Sequence, residues 1–168
     1  MDMAVEALVS VEEYLNTSYE PDMEYVDGEL VEINVGDRTH CQVQSNIVFF
    51  LRLKYPKVKV WPEIRSKTRE TRYRLPDVAV VLKPEEGRFV TEPPFIAIEI
   101  LSEDDRVSRL IEKLKEYAAM GVPNIWVFDP RLEQMFVFEG NALREIEGDT
   151  ISTVDGSIEL TRAEIFQD

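Results

Sequence analysis

Hydrophobic and polar positions follow two rhythms along this chain. The first is a set of short apolar runs. Leu75-Pro76-Asp77-Val78-Ala79-Val80-Val81-Leu82 and Phe95-Ile96-Ala97-Ile98-Glu99-Ile100-Leu101 are each broken by a single carboxylate. Runs this rich in β-branched residues predict buried strands of a sheet covered on both faces. The first strand is predicted to run from Arg72 to Leu82, with Asp77, Ala79 and Val81 on one face. In the second, Phe95, Ala97, Glu99 and Leu101 share a face. Asn124 to Phe128 reads as another buried strand, and Gln134 to Phe138 as its hairpin partner before a Gly140-Asn141 turn.

The second rhythm is helical. Ser10 with Glu13 reads as a capping box opening a short helix. Val43, Ile47 and Phe50 recur at helical spacing between His40 and Lys54, where Pro56 ends the helix. Val107, Leu110, Ile111, Leu114 and Ala118 form a buried stripe in a helix predicted over Asp104–Met120. Asp104 and Asp105 are expected in its first turn, and Gly121 just past its end. A small helix near Thr161 to Phe166 closes the chain. Between the first two helices, Met23 to Ile33 reads as a β-hairpin around the turn dipeptide Asp27-Gly28. Val58 to Arg65 begins the main sheet, with Pro62 implying an edge position or a bulge.

Strand, helix, strand over Phe95–Phe128 is a βαβ crossover, which predicts two parallel strands. The fold class expected is therefore α/β, a central mixed β-sheet flanked by helices with an N-terminal β-hairpin. At 168 residues the chain is expected to form a single domain over 1–168. One cysteine, Cys41, leaves neither an intrachain disulfide nor a cysteine-built zinc site. With no apolar N-terminal region and no long apolar span, neither a signal peptide nor a membrane helix is expected, and a cytoplasmic location follows.

The formal net charge of −14 argues against strong non-specific nucleic-acid binding. The charge is uneven, however. Nine basic residues and only two acids lie between Arg52 and Arg74, so a polyanion has one place to be steered. Arg65, Lys67 and Arg69 alternate with other residues and would share one face. A solvated two-faced hairpin explains the same run.

A carboxylate inside an apolar strand is costly unless a hydrogen-bond network or a cation compensates it. Asp77 and Glu99, 22 positions apart on adjacent predicted strands, either converge on one cation or sit solvated near strand ends. Lys113 and Tyr117 lie four apart on one flank of the helical stripe, and Lys115 on the other; most such lysines simply extend to solvent. His40 falls on the buried side of its helix, either as a hydrogen-bonded structural residue or at the lip of a site.

The order helix, strand, strand with Pro76-Asp77, strand with Glu99, helix resembles the core of the PD-(D/E)XK nuclease superfamily. The lysine of an acid-any-Lys motif is absent, since Glu99 is followed by Ile100-Leu101. Glu24 to Leu30, His40, Glu99-Ile100-Leu101-Ser102 and the run from Lys113 to Pro130 resemble one branch, the Uma-type family of bacterial restriction endonucleases. The resemblance extends from Val9 to Phe166, and Gly121-Val122-Pro123 with Trp126, after a helix bearing Lys113 and Tyr117, is its most specific part. It implies a restriction endonuclease-like core and metal-assisted hydrolysis of DNA phosphodiester bonds. The moved motif lysine corresponds to Lys113. Asp77, Glu99 and the Ile100 carbonyl would hold Mg²⁺, or Mn²⁺, with Glu24 as a further carboxylate. Arg65, Lys67, Arg69, Arg72 and Arg74 would contact DNA phosphates. Ser102-Glu103-Asp104-Asp105 departs from the family's usual turn and adds negative charge.

Two readings of different class follow: a Mg²⁺-dependent DNA endonuclease, and a catalytically silent relative that binds nucleic acid or another protein. The missing in-line lysine and the acidity favour the second; Asp77, Glu99 and Lys113 together favour the first. A homodimer is compatible with either.

Overall fold

The computed structural model describes residues 7–83 and 85–168. Residues 1–6 and Pro84, which the expected single unit includes, lie outside the described residues. In chain order the elements are α1 (Val11–Asn16), β1 (Met23–Val26), β2 (Glu29–Glu32), α2 (Arg38–Lys54), β3 (Lys59–Pro62), β4 (Ser66–Arg69), β5 (Arg72–Arg74), β6 (Val78–Val81) and β7 (Ile96–Ile100). They continue with α3 (Val107–Met120), β8 (Asn124–Asp129), β9 (Gln134–Glu139), β10 (Ala142–Glu145), β11 (Thr150–Ser152), β12 (Glu159–Thr161) and α4 (Arg162–Phe166).

A six-stranded sheet in the order β10-β9-β8-β7-β6-β3 forms the centre. Only β7 and β8 are parallel in it, joined through α3 as the crossover pattern predicts. Its two faces are sorted by strand alternation. Ile96, Ile98 and Ile100 face α2 and the C-terminal elements, packing with Val43, Ile47 and Leu51. Ala97 faces α3, with Leu114, Tyr117 and Val127. Burying one isoleucine of this kind contributes about 1.5–3 kcal/mol, so these two faces carry most of the cohesion. Pro62 ends β3 at the sheet's edge, where the missing amide costs no ladder bond.

A second sheet, in the order β2-β1-β5-β4, carries the N-terminal hairpin. Its turn uses Asp27 at φ 52° and Gly28 at φ 98°, the two positive values a type I′ turn requires. The core of this sheet is Tyr14, Tyr25 and Tyr73 rather than aliphatic residues.

The single strand expected from Arg72 to Leu82 is two strands in two sheets. Tyr73 pairs with Tyr25 in the smaller sheet, and Val78 pairs with Ile98 in the larger. Pro76, which cannot donate to a ladder, stands in the crossing segment between them. Asp77 is thereby set at the seam of the two sheets.

Helix starts differ from expectation in two places. Ser10 accepts from the Glu13 amide, but the reciprocal half of the capping box is not formed. Helix α3 begins at Val107 with Arg106 as its N-cap, not near Asp104. Asp105 explains the delay. Its carboxylate accepts from the Ser102 amide at 2.7 Å and from Asn34 at 2.5 Å, which fixes 102–105 as a turn.

Candidate active site

Asp77 and Glu99 come together through register. Val78 lies opposite Ile98, so continuing that antiparallel pairing by one residue sets Asp77 opposite Glu99. The Ile100 amide donates to Asp77 Oδ2 at 2.6 Å, and His40 Nε2 lies 3.1 Å from Asp77 Oδ1. Helix α2 presents His40 because Asp37 caps its first turn, accepting from the His40 amide. Gly36 makes the fit possible: a Cβ there would lie 2.5 Å from His40 Nδ1.

Glu99 is nearly sealed, at 6% exposure. Lys113 Nζ donates to its Oε2 at 2.9 Å and the Tyr117 hydroxyl donates to its Oε1 at 2.7 Å. The four-residue spacing on α3 delivers both donors to one carboxylate. Lys113 also contacts Glu24 Oε1 at 3.0 Å. Glu24 in turn accepts from Arg74 at 2.9 Å and from the Leu75 amide at 3.1 Å. A cavity of about 220 Å³ is lined by Glu24, Glu99, Ile100 and Lys113. A smaller one of about 50 Å³ is lined by His40, Asp77, Glu99, Ile100 and Lys113.

Charge is unevenly compensated here. Burial, reinforced by the charges of Asp77 and Glu24, raises the Glu99 carboxyl to about 7 against the pull of Lys113. Burial alone would lower Lys113, but the charges of Glu24 and Glu99 outweigh it and hold the ammonium strongly protonated. Burial would likewise raise Glu24; Lys113 and Arg74 outweigh it and keep its carboxyl low. Burial and the neighbouring Glu99 charge push Tyr117 well up, so it serves as a donor.

A family model described as "Putative restriction endonuclease", Uma2, matches residues 11–162. The chain belongs to the Uma2 family. A search of curated proteins finds no match. Among solved structures, the chain is similar to the crystal structure described as a putative nuclease belonging to DUF820 from Anabaena variabilis ATCC 29413. The two share 19% identity at a TM-score of 0.78, over 94% of this chain and 97% of that one. At that identity the likeness establishes the fold alone, a central mixed sheet flanked by helices.

Against this Uma2 fold, the predicted site residues divide. Asp77, Glu99, Lys113 and Glu24 are brought into one continuous network, and Ile100 joins it through its amide. The five basic residues are scattered by their partners. Arg65 is buried, paired with Asp22 at 2.5 Å and stacked over Tyr14 at 4.2 Å. Arg74 is buried between Glu24 and Glu116, and Arg72 binds Asp27, Glu112 and Glu116. Lys67 pairs with Glu70. Only Arg69 has no acidic partner among the described residues. Arg65 and Arg74 are thus turned inward by acids remote in sequence and have no face to offer a phosphate. Glu116, at 1% exposure, was not visible as a site residue in the sequence. Its one signal there is an acid beside the stripe of α3, and no spacing rule ties it to Arg74.

The donor set suits a hard divalent cation. No group of three or more His, Cys, Asp or Glu among the described residues is arranged to hold a metal ion. Mg²⁺, however, commonly takes one or two carboxylates and keeps its waters, which matches Asp77 with Glu99. The 50 Å³ cavity has room for a small cation and a few waters. Ser102 Oγ, which lines this cavity, is buried without a hydrogen-bond partner, as expected beside a missing polar group.

Proposed function

We propose that this Uma2 protein is a cytoplasmic, Mg²⁺-dependent endonuclease that hydrolyses DNA phosphodiester bonds. The observation that carries the proposal is the buried Glu99, clasped by Lys113 and Tyr117 opposite Asp77 at the wall of a polar cavity. Burial and the charges of Asp77 and Glu24 raise that carboxyl to about 7, which marks negative charge that a bound cation would offset. No helix among the described residues is long and apolar enough to cross a membrane.

Asp77 and Glu99 would hold the cation, with the Ile100 carbonyl as a backbone ligand. Bound there, Mg²⁺ supplies Lewis-acid polarisation of the phosphate and a water of lowered pKa. Lys113 offers a fixed positive charge to the oxygens of the phosphate undergoing attack. Glu24 holds Lys113 from behind, so that the ammonium is not drawn wholly onto Glu99. Tyr117 fixes the Glu99 carboxylate plane. His40 fixes Asp77 in the same way.

The test is conversion of supercoiled plasmid to nicked or linear forms in Mg²⁺ or Mn²⁺. Wild type should cut, and Asp77→Ala, Glu99→Ala and Lys113→Ala should each lose at least about a hundredfold in rate. Equal rates for wild type and all three variants would overturn the nuclease reading. The silent relative, a nucleic-acid-binding or interaction module, is favoured by one observation: Lys113 is already shared between Glu99 and Glu24. Wild type that binds DNA without cutting it would select that reading.

A further inference from the structure

Arg106 and Arg109 are placed against local preference. They stand at the N-cap and first turn of α3, where the helix dipole disfavours positive charge. Arg106 makes no capping hydrogen bond, and no acid occupies the first turn. The acids available nearby, Asp104 and Asp105, fall outside the helix. A helix start that breaks the rules of capping and charge together calls for a reason outside the helix.

The cavity supplies one. Arg106, Arg109 and Lys113 follow each other at three- and four-residue spacing, on one face of α3. All three line the 220 Å³ cavity that holds Glu99. Neither arginine has an acidic partner among the described residues, and both are exposed. Arg69, the unpaired member of the 65–74 run, does not line this cavity. The acids on the same wall are mostly occupied. Asp105 serves Ser102 and Asn34, and Glu112 serves Arg72. Glu32 and Asp104 remain without partners among the described residues and repel a polyanion. The two arginines are therefore the attractive groups at the mouth of the site.

We infer that Arg106 and Arg109 bind the phosphodiester backbone of the nucleic acid next to the bond presented to Glu99 and Lys113. This rests on the nuclease reading and moves the phosphate contacts from the 65–74 run to the start of α3. Such contacts position a strand without reading its sequence.

The experiment measures fluorescence anisotropy of a labelled 20-base-pair DNA duplex with the full chain, in Ca²⁺ to hold the duplex uncut. Arg106→Ala/Arg109→Ala should bind roughly tenfold more weakly or worse. Losing two phosphate contacts should also flatten the log–log salt slope by about 1.8. Lys67→Ala/Arg69→Ala should change both far less. Arg106→Ser separates binding from folding: a serine cap should raise the melting temperature while binding falls. Weaker binding with a lowered melting temperature would make Arg106 structural and overturn the inference. So would wild-type affinity and salt slope in the double variant, with the nuclease reading left standing. Wild type that neither binds nor cuts the duplex would remove both.

Discussion

Glu99 and Glu116 are both nearly sealed from solvent, and both face basic groups, yet they end in opposite states. Glu116 meets two guanidinium groups and the Thr68 hydroxyl, which outweigh burial and pull its carboxyl down to about 2. Glu99 meets one ammonium, already shared with Glu24, and its carboxyl rises to about 7. The geometry of each contact is good; the difference is the count of charges. Around Glu116 the arginines complete a closed ionic knot. Around Glu99 one lysine serves both Glu99 and Glu24, and Asp77 stands beside them with His40, leaving negative charge that a cation would offset. A buried acid thus reports a structural or a chemical role by whether its neighbours balance it.

Breaking the balanced side should cost most. Glu116→Ala leaves Arg72 and Arg74 without their buried partner and should destabilise the fold by about 3–5 kcal/mol, measured by urea unfolding. A loss within 1 kcal/mol, on the order of an exposed pair, would end the contrast.

Acid should reach the same knot. The folded-state value of Glu116 lies below its ordinary 4.5, so its contribution is fully present above pH 4.5 and fades as pH falls through about 2. The shift corresponds to about 3 kcal/mol. Unfolding free energies across that window should show a fall that is missing in Glu116→Gln.

The unbalanced side should respond with opposite sign. Glu99 is raised, so its contribution is present below pH 4.5 and lost as pH rises through about 7. Glu99→Gln mimics the protonated acid; the rise from 4.5 to about 7 is as large as the fall at Glu116, so the variant should gain up to about 3 kcal/mol, more at pH 8 than at pH 6 and nothing below pH 4.5. Thermal melts at pH 6 and pH 8 check this; a large loss at pH 8 would make Glu99 another structural partner.

Much of this is legible in the sequence. The βαβ crossover and the Asp27-Gly28 turn follow from period and turn chemistry, while the edge position of Pro62 and the approach of Asp77 to Glu99 are each one of two alternatives the pattern leaves open. Those signals are local, or need only one step of register. What stayed hidden was long-range. Nothing near Arg74 in the chain announces Glu116, so Arg65 and Arg74, read as part of a binding face, are in fact turned inward. The division of the Arg72–Leu82 run at Pro76, by contrast, has a local signal: Pro76 and Asp77 are both disfavoured in strands, and a proline inside a run argues against one continuous central strand. The late start of α3 was missed for a smaller reason: Asp105 spends its carboxylate on a turn instead of a helix dipole.

The seam at Asp77 has a consequence for the life of the chain before it is folded. The larger sheet supplies Glu99, the crossing segment supplies Asp77, and the hairpin supplies the Glu24 that braces Lys113. These parts lie far apart in sequence, so bringing them together carries a high loop-closure cost. A nascent chain, or one with the hairpin peeled away, lacks the brace and the alignment at once. The proposed site would therefore be complete only once both sheets and the crossing segment have closed on one another.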